Sequence, residues 1–146
     1  MSDANRAVPA QSPRWMPIGD EPELCSAGEW WDAIRATEAV GRRAIEILAE
    51  VEDTVGPVFL DPGGPEPRMY FLVPPGAAAR WEEPGTVPLG QKCHVLVPHA
   101  GATEAPGLHW HVFPHGPRAL TPPEVLRKAL SKARRERQGA AEQADA

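Results

Sequence analysis

The stretch "PVFLDPGGPEPRMYFLV", residues 57 to 73, decides the fold of this chain. Two apolar runs, "PVFLD" at 57–61 and "RMYFLV" at 68–73, flank the cluster "PGGPEP", whose prolines and glycines mark a turn. Aromatic and β-branched side chains favour extended structure in both runs. Strands joined by so short a connection pair antiparallel, because a parallel pair needs a crossover of a dozen or more residues. The stretch therefore predicts a hairpin within an antiparallel sheet.

Two more segments have the composition of strands. Residues 92–98 ("KCHVLVP") and 108–114 ("LHWHVFP") are short, rich in β-branched and aromatic residues, and flanked by glycine or proline. The segment "PPGAAARWEEPG", at 74–85, predicts a loop with one turn of helix. With the hairpin, these segments predict a sheet of about four strands.

A helix is predicted from about Ser26 to Val51. The sequence "SAGE" is a capping box, in which the Ser26 hydroxyl accepts from the Glu29 amide and the Glu29 side chain reaches back. Apolar and small residues then recur at the three-and-four spacing of one helix face: Trp30, Ile34, Thr37, Gly41, Ile45 and Leu48. Gly41 on this face indicates either a close approach to another backbone or a tolerated glycine.

A second helix is predicted to begin at "TPPE", residues 121 to 124. Thr121 is the expected N-cap, Pro122 occupies the first helical position, where its missing N–H costs nothing, and Glu124 is at the third. The apolar stripe of this helix ends at Ala133, and the charged residues that follow predict fraying.

The order of helix, strands and helix predicts an α+β fold: an N-terminal helix, a roughly four-stranded, mainly antiparallel sheet, and a C-terminal helix packed on the sheet. We expect one domain over residues 23–138. Residues 1–22 and 139–146 are expected to be disordered, because they offer little apolar surface to bury. The predicted core includes Trp30, Ile34, Phe71, Val95, Trp110 and Leu130.

Charge and cysteine content limit the classes of function. The formal net charge is -5, with seven acidic and three basic residues in 26–53, and six basic and two acidic residues in 121–138. These segments are either two solvated helix faces or helices that attract each other. The first 20 residues lack the apolar stretch of a signal peptide, no run is long enough to span a membrane, and two cysteines are too few for a disulfide framework. We expect a cytoplasmic protein with reduced thiols.

Three of the five histidines, His109, His111 and His115, lie within "GLHWHVFPHG" at 107–116. Alternation along a strand puts His109 and His111 on the outer face, opposite an apolar set on the core face: Leu108, Trp110 and Val112. Three interpretations remain open: a polar sheet face, a metal site formed by the three histidines, or general acid–base work. The stretch matches no helical H-E-x-x-H motif and has no C-x-x-C partner.

The two cysteines favour structural roles. Cys93 shares a strand face with Val95 and Val97, which is typical of a small core residue. Cys25 comes just before the predicted helix, a position that lowers a thiol pKa, but no base lies near it in the sequence. No phosphate loop and no G-x-S-x-G motif occurs, so catalytic residues are not identified.

Three stretches, "MYFLVPPGAAARWEEPGTVPLGQKCHVLVPHA", "APGLHWHV" and "LTPPEVLRKAL", share a pattern with other sequences. Over about residues 28 to 131 the chain resembles short actinobacterial proteins, and through them the second half of the bifunctional DNA primase–polymerase N-terminal domain. That family uses paired acids to hold two metal ions and a histidine that contacts the nucleotide. No D-x-D or D-x-E lies on a predicted strand here, and Arg68 aligns with that histidine. The resemblance implies a scaffold without its acidic metal-binding motif.

The sequence therefore favours a small, non-catalytic binding or regulatory protein that contacts a nucleotide or a protein partner. The candidate ligand-binding residues are Arg68, Arg80, His109 and His111, next to the "VPPG" loop. The alternative is a small histidine- or metal-dependent enzyme using His109, His111 and His115. We expect no cofactor and no membrane association, and nucleic acid binding only through the basic C-terminal helix.

Overall fold

The computed structural model describes residues 13–51, 55–114 and 120–145. The elements in these ranges are β1 (Glu23–Ser26), β2 (Asp32–Thr37), α1 (Glu38–Val51), β3 (Val58–Asp61), β4 (Arg68–Val73), a 3-10 turn (Ala77–Arg80), β5 (Val87–Leu89), β6 (His94–Val97), β7 (His109–Val112) and α2 (Pro123–Asp145).

The strands form two antiparallel sheets rather than one sheet of about four strands. The larger has five strands in the order β5-β2-β4-β3-β7, and the smaller is a ribbon of β1 and β6. The predicted hairpin is confirmed, since β3 pairs antiparallel with β4 and aligns Asp61 with Arg68 and Val58 with Phe71. The α+β class is confirmed with it.

Each face of the five-stranded sheet is covered by a different layer. On one face, α1 and α2 pack onto the sheet, and their Leu48 and Leu130 join Phe71 in a cluster that we call the helix-side core. On the other face, the ribbon packs Val95 and Val97 into the ribbon-side core, which includes Trp110. Burying an aliphatic or aromatic side chain of this size stabilises a fold by roughly 1.5–3 kcal/mol. The double covering leaves the central strands β2 and β4 buried on both faces.

The predicted helix from Ser26 is wrong over its first half, because residues 26–37 contain the end of β1, a turn and β2. Strand β2 is buried on both faces: Ala33 faces the ribbon-side core and Ile34 the helix-side core. It therefore lacks the apolar–polar alternation that marks a half-buried strand. Trp30, a predicted core residue, lies in the turn with 45% of its surface exposed.

The other five predicted core residues are buried: Ile34, Phe71, Val95, Trp110 and Leu130. Gly41 makes a close contact rather than being merely tolerated, since a Cβ there would lie 2.8 Å from the Met69 sulfur. The close approach is to a side chain of β4, not to another backbone.

The ends of the folded unit differ from the sequence prediction. Helix α2 continues to Asp145, well past the fraying point expected at Ala133. It begins at Pro123, and the Thr121 hydroxyl accepts from the Gly56 amide at 2.9 Å, which links the helix entry to β3. At the other end Met16 is buried in the ribbon-side core, although residues 1–22 were expected to be disordered.

In the ranges that the structure describes, no helix is both long and apolar enough to cross a membrane.

The oppositely charged helices do pack together. Their closest ion pair joins Arg43 of α1 to Glu136 of α2 at 2.8 Å, with side chains 36% and 40% exposed. Exposed pairs of this kind add little stability. The apolar residues of the helix-side core, not the net charges, hold the helices on the sheet.

Candidate functional site

The four predicted ligand-binding residues do not form one site. Arg68 opens β4, whereas Arg80 lies beyond the other end of this six-residue strand, which spans about 17 Å at 3.4 Å per residue. Arg68 lines a cavity of about 250 Å³ together with Arg35 and Glu66, whereas Arg80 lines a different cavity of about 440 Å³. We call the two ends of β4 the turn end and the VPPG end, after residues 73–76.

At the turn end, Arg68 is engaged by its neighbour across the hairpin. Its Nη2 donates to Asp61 Oδ2 at 3.0 Å, and the other Asp61 oxygen accepts from the Gly63 amide at 3.0 Å. Arg68 Nε is buried without a partner. The Arg68 guanidinium, a predicted ligand-binding group, is thus already paired with an internal carboxylate.

The histidines of β7 do not both lie on the outer face as predicted. The register of β7 against β3 shifts, so that Val58 faces Val112 and Phe59 faces Trp110. A bulge of this kind moves the side chains after it to the other face, and Val112 packs against the helix-side core whereas Trp110 lies in the ribbon-side core. His109 pairs with Leu60, which faces the helix-side core, and is buried at 9% exposure, whereas His111, at the bulge, is exposed.

The two histidines have different surroundings. His109 Nδ1 lies 2.7 Å from the Gly107 carbonyl oxygen, and because a carbonyl only accepts, this nitrogen is the protonated one. Desolvation lowers the pKa of His111, and the charge of Arg42 and the neighbouring His109 lower it further, while Glu38 opposes them. The neutral form of His111 is therefore favoured.

The described donor groups do not come together as a metal site. Among the described residues, no three His, Cys, Asp or Glu side chains are grouped so as to hold a metal ion. Glu38 is the carboxylate whose charge raises the pKa of His111, and it is bound by Arg42 at 2.6 Å. His115 lies outside the described residues, so the three-histidine site stays a prediction.

The VPPG end is a concave part of the molecule. Three cavities, of about 440, 530 and 610 Å³, adjoin the loop, and Pro75 lines all of them. We call them the arginine cavity, the tryptophan cavity and the aspartate cavity, after Arg80, Trp30 and Asp32. Gly76 ends the loop at φ +94°, a conformation that strains other residues.

The arginine cavity has a basic rim and an apolar wall. Arg80 at the end of the 3-10 turn and Arg127 on α2 line it, together with an apolar set: Pro74, Pro75, Trp81 and Pro123. Arg127 donates to Glu124 at 3.1 Å, whereas Arg80 makes no ion pair with any residue that the structure describes. Trp81 is fixed by an indole hydrogen bond to the Thr86 hydroxyl at 2.8 Å. The cavity presents an available guanidinium on a rigid wall.

Asp32 holds the VPPG loop from beneath. It opens β2 opposite Val73, and its Oδ2 accepts from the amides of Gly76 at 2.8 Å and Ala78 at 2.9 Å. The loop amides that would otherwise face a bound anion are therefore satisfied by a carboxylate of the protein. Sequence reasoning missed Asp32 because it assigned the residue to a helix, where an acid is ordinary.

The aspartate cavity is formed by close-packed glycines around that carboxylate. A Cβ at Gly28 would lie 2.9 Å from Gln91 Cα, and one at Gly90 would lie 2.9 Å from Ala78 Cβ. Among the described residues, Asp32 is the only charged one that lines the cavity, and it is 1% exposed. Its Oδ1 is buried and has no hydrogen-bond partner in the part of the chain that the structure describes.

The two cysteines have different surroundings. Burial raises the pKa of the Cys25 thiol, and the charge of Glu23 raises it further, so the thiolate is disfavoured. Cys93 lies just before β6 rather than in the predicted strand, packs partly buried against the ribbon-side core and borders the aspartate cavity. Comparison of the chain with family models, curated proteins and solved structures gives no match.

Proposed function

We propose that this protein is a small non-catalytic binding protein that holds an anionic ligand of the nucleotide class in the arginine cavity. The observation behind the proposal is that Arg80 and Arg127 line one cavity beside the VPPG loop. The primase–polymerase-like scaffold remains part of this proposal, with recognition in place of its metal chemistry.

The composition of the cavity supports a phosphate-bearing ligand. A guanidinium presents a planar fork of donors that matches phosphate oxygens, and it stays charged at any physiological pH. Two guanidinium groups face one carboxylate, Glu124, so the rim keeps an excess of positive charge. The volume, about 440 Å³, lies in the range of small-molecule sites, and the prolines and Trp81 offer an apolar wall.

A non-catalytic role is supported by how four acids of the described residues are used. Asp61 is paired with Arg68, Glu83 with Arg134 and Glu38 with Arg42, and Asp32 accepts from loop amides. Phosphoryl transfer needs carboxylates grouped around metal ions. These four acids are dispersed, and three of them are held in ion pairs.

Isothermal titration with ATP, GTP and inorganic pyrophosphate tests the proposal. We expect at least one of these ligands to bind the wild-type protein, and Arg80→Gln to weaken binding about tenfold, since a charge-assisted contact is lost. Arg135→Gln is the matched control, because Arg135 is exposed on α2 and lines none of the three cavities. No binding by any of the three ligands, or equal losses in both variants, would contradict the proposal.

A further inference from the structure

We infer that a groove between helices α1 and α2 binds a free fatty acid, with the alkyl chain on its apolar floor and the carboxylate at Lys128 and Lys132. We call it the lysine groove, and both helices line it: Ile47 and Val51 from α1, and Val125, Lys128, Ala129 and Lys132 from α2. It shares no lining residue with the cavities at the two ends of β4. The inference goes beyond nucleotide binding and does not depend on it.

The floor of the groove is apolar and partly open to solvent. Ile47 and Ala129 are nearly covered, at 8% and 2% exposure, whereas Val51 at the end of α1 has 63% of its surface exposed. Val125 is partly buried and packs against the helix-side core. An alkyl chain laid along this floor would remove its own surface and that of Val51 from water, which is favourable.

The charged groups that line the groove all have the same sign. Lys128 and Lys132 are exposed and lie four residues apart on α2, so they occupy one face of the helix and repel each other. Neither forms an ion pair with any residue that the structure describes. A hydrogen bond from Arg43 lowers the pKa of Glu136, and the charge of Lys132 lowers it further, but Arg43 already binds this carboxylate at 2.8 Å. An anionic head group would therefore complement two ammonium groups beside an apolar floor.

The dimensions of the groove indicate the size of the ligand. Residues 125 to 132, which line it on α2, span about 10 Å of helix. The extended chain of octanoate has a similar length. The volume of the groove, about 390 Å³, lies in the range of small-molecule sites. A free fatty acid meets both the floor and the lysines, whereas a bilayer surface would meet the lysines without filling the groove.

Amide NMR titration of the full chain with octanoate tests the groove. Acetate is the matched probe with the head group and no chain, and octylammonium has the chain and the opposite charge. We expect octanoate to shift the amides of Ile47, Val51 and Ala129 saturably in the millimolar range, as suits a ligand of few atoms. Acetate and octylammonium should bind about tenfold more weakly, because each lacks one of the two contacts.

Two double variants with the same loss of charge separate the groove from the rest of α2. Lys128→Gln with Lys132→Gln should weaken octanoate about tenfold. Arg135→Gln with Arg137→Gln is the control and should bind as the wild type does, because both arginines are exposed on α2 and neither lines the groove. Val51→Ser should also weaken octanoate. All of these side chains are exposed, so we expect the variants to fold.

Several results would overturn the inference. They are unsaturable shifts in the wild type, saturable shifts confined to residues away from the groove, equal binding of the three probes, and equal losses in the two double variants. Vesicles of phosphatidylglycerol test the other source of an anionic amphiphile. Binding to these vesicles without saturable binding of octanoate would assign the lysines to a membrane surface and would contradict the inference as well.

Discussion

The two ends of strand β4 each hold an aspartate beside a glycine turn, and they use it differently. At the turn end, Asp61 has a side chain 28% exposed, and both of its oxygens are engaged, by Arg68 and by the Gly63 amide. At the VPPG end, Asp32 is 1% exposed, and one of its oxygens has no partner. The partly exposed Asp61 has a hydrogen-bond donor for each oxygen, whereas the buried Asp32 has described donors for one oxygen only.

This difference separates a partly exposed carboxylate whose two oxygens are engaged from a buried carboxylate that the described residues satisfy at one oxygen only. Water and salt screen a partly exposed ion pair, so the pair of Asp61 with Arg68 adds little to stability. A buried acceptor without a donor lowers stability. We therefore expect the two ends of β4 to respond differently when their aspartates are removed.

The largest expected effect is at the VPPG end. Asp32→Ala leaves the amides of Gly76 and Ala78, whose hydrogen bonds are partly buried, without their acceptor, and we expect the free energy of unfolding to fall by about 2–4 kcal/mol. Asp61→Ala, the matched change at the turn end, should cost less than about 1 kcal/mol. Urea unfolding of both variants measures this difference. Equal losses in the free energy of unfolding would show that the two aspartates contribute equally to stability.

A buried carboxylate that does have a cation sharpens the comparison. The Glu83 side chain is 4% exposed, and Arg134 of α2 binds it at 3.2 Å. Arg134→Met leaves Glu83 as uncompensated as Asp32, and we expect a loss of about 1–3 kcal/mol in unfolding free energy. Arg43→Met, which breaks the exposed pair with Glu136, should have a much smaller effect on the same chemical denaturation curve. A larger loss in Arg43→Met would show that burial does not set these energies.

The turn end depends on packing rather than on charge, and Gly41 tests this. A Cβ at Gly41 would meet Met69 Sδ at 2.8 Å and Met69 Cβ at 3.1 Å, next to Arg68. The helix propensity of alanine favours the exchange by about 1 kcal/mol, but the clash with a backbone-fixed Cβ outweighs it. Gly41→Ala should therefore lower the midpoint of thermal unfolding.

Gly139→Ala is the control for that variant, because Gly139 lies in α2 with no atom within 4 Å of its added Cβ. It should raise the midpoint slightly. If Gly41→Ala is also stabilising, the contact between α1 and β4 is looser than the structure indicates.

The smallest effect concerns His111, which lines none of the cavities described at the two ends of β4. Its pKa lies below the ordinary value of 6.5 because of desolvation and Arg42. The unfolded chain therefore binds the proton more readily, so the wild-type protein loses stability as the pH falls through 6.5 towards the lowered pKa. His111→Gln removes this loss and should be relatively more stable at low pH, with little change at pH 8. Unfolding curves at several pH values measure the difference, and an unchanged pH dependence in the variant would refute the assignment.

The sequence predicts the fold where a local pattern matches the final burial. The β3–β4 hairpin is foreseen because proline and glycine mark its turn, and the start of α2 is foreseen to within two residues. Strand β2 is not foreseen, because both of its faces are buried and its apolar residues also fit helical spacing. The bulge in β7, which separates Trp110 from Val112, depends on pairing with β3 and leaves no local signal.

The candidate site is foreseen less well than the fold. Arg80 and the VPPG loop were predicted, and they share a cavity, but Arg68, His109 and His111 lie elsewhere. Asp32 could not be identified, because its role comes from amides 44 and 46 residues further along the chain. The sequence did offer one signal, an acid at position 32 among the apolar residues Trp31, Ala33 and Ile34. This pattern is more typical of a buried strand than of a helix.

Nucleotide titration of arginine variants from both ends tests the central claim most directly. Calorimetry with the tightest of ATP, GTP and pyrophosphate would compare Arg80→Gln at the VPPG end with Arg68→Gln at the turn end. We predict that Arg80→Gln lowers the affinity about tenfold, while folded Arg68→Gln binds as the wild type does. Loss of binding in Arg68→Gln with full binding in Arg80→Gln would place recognition at the turn end and contradict the account.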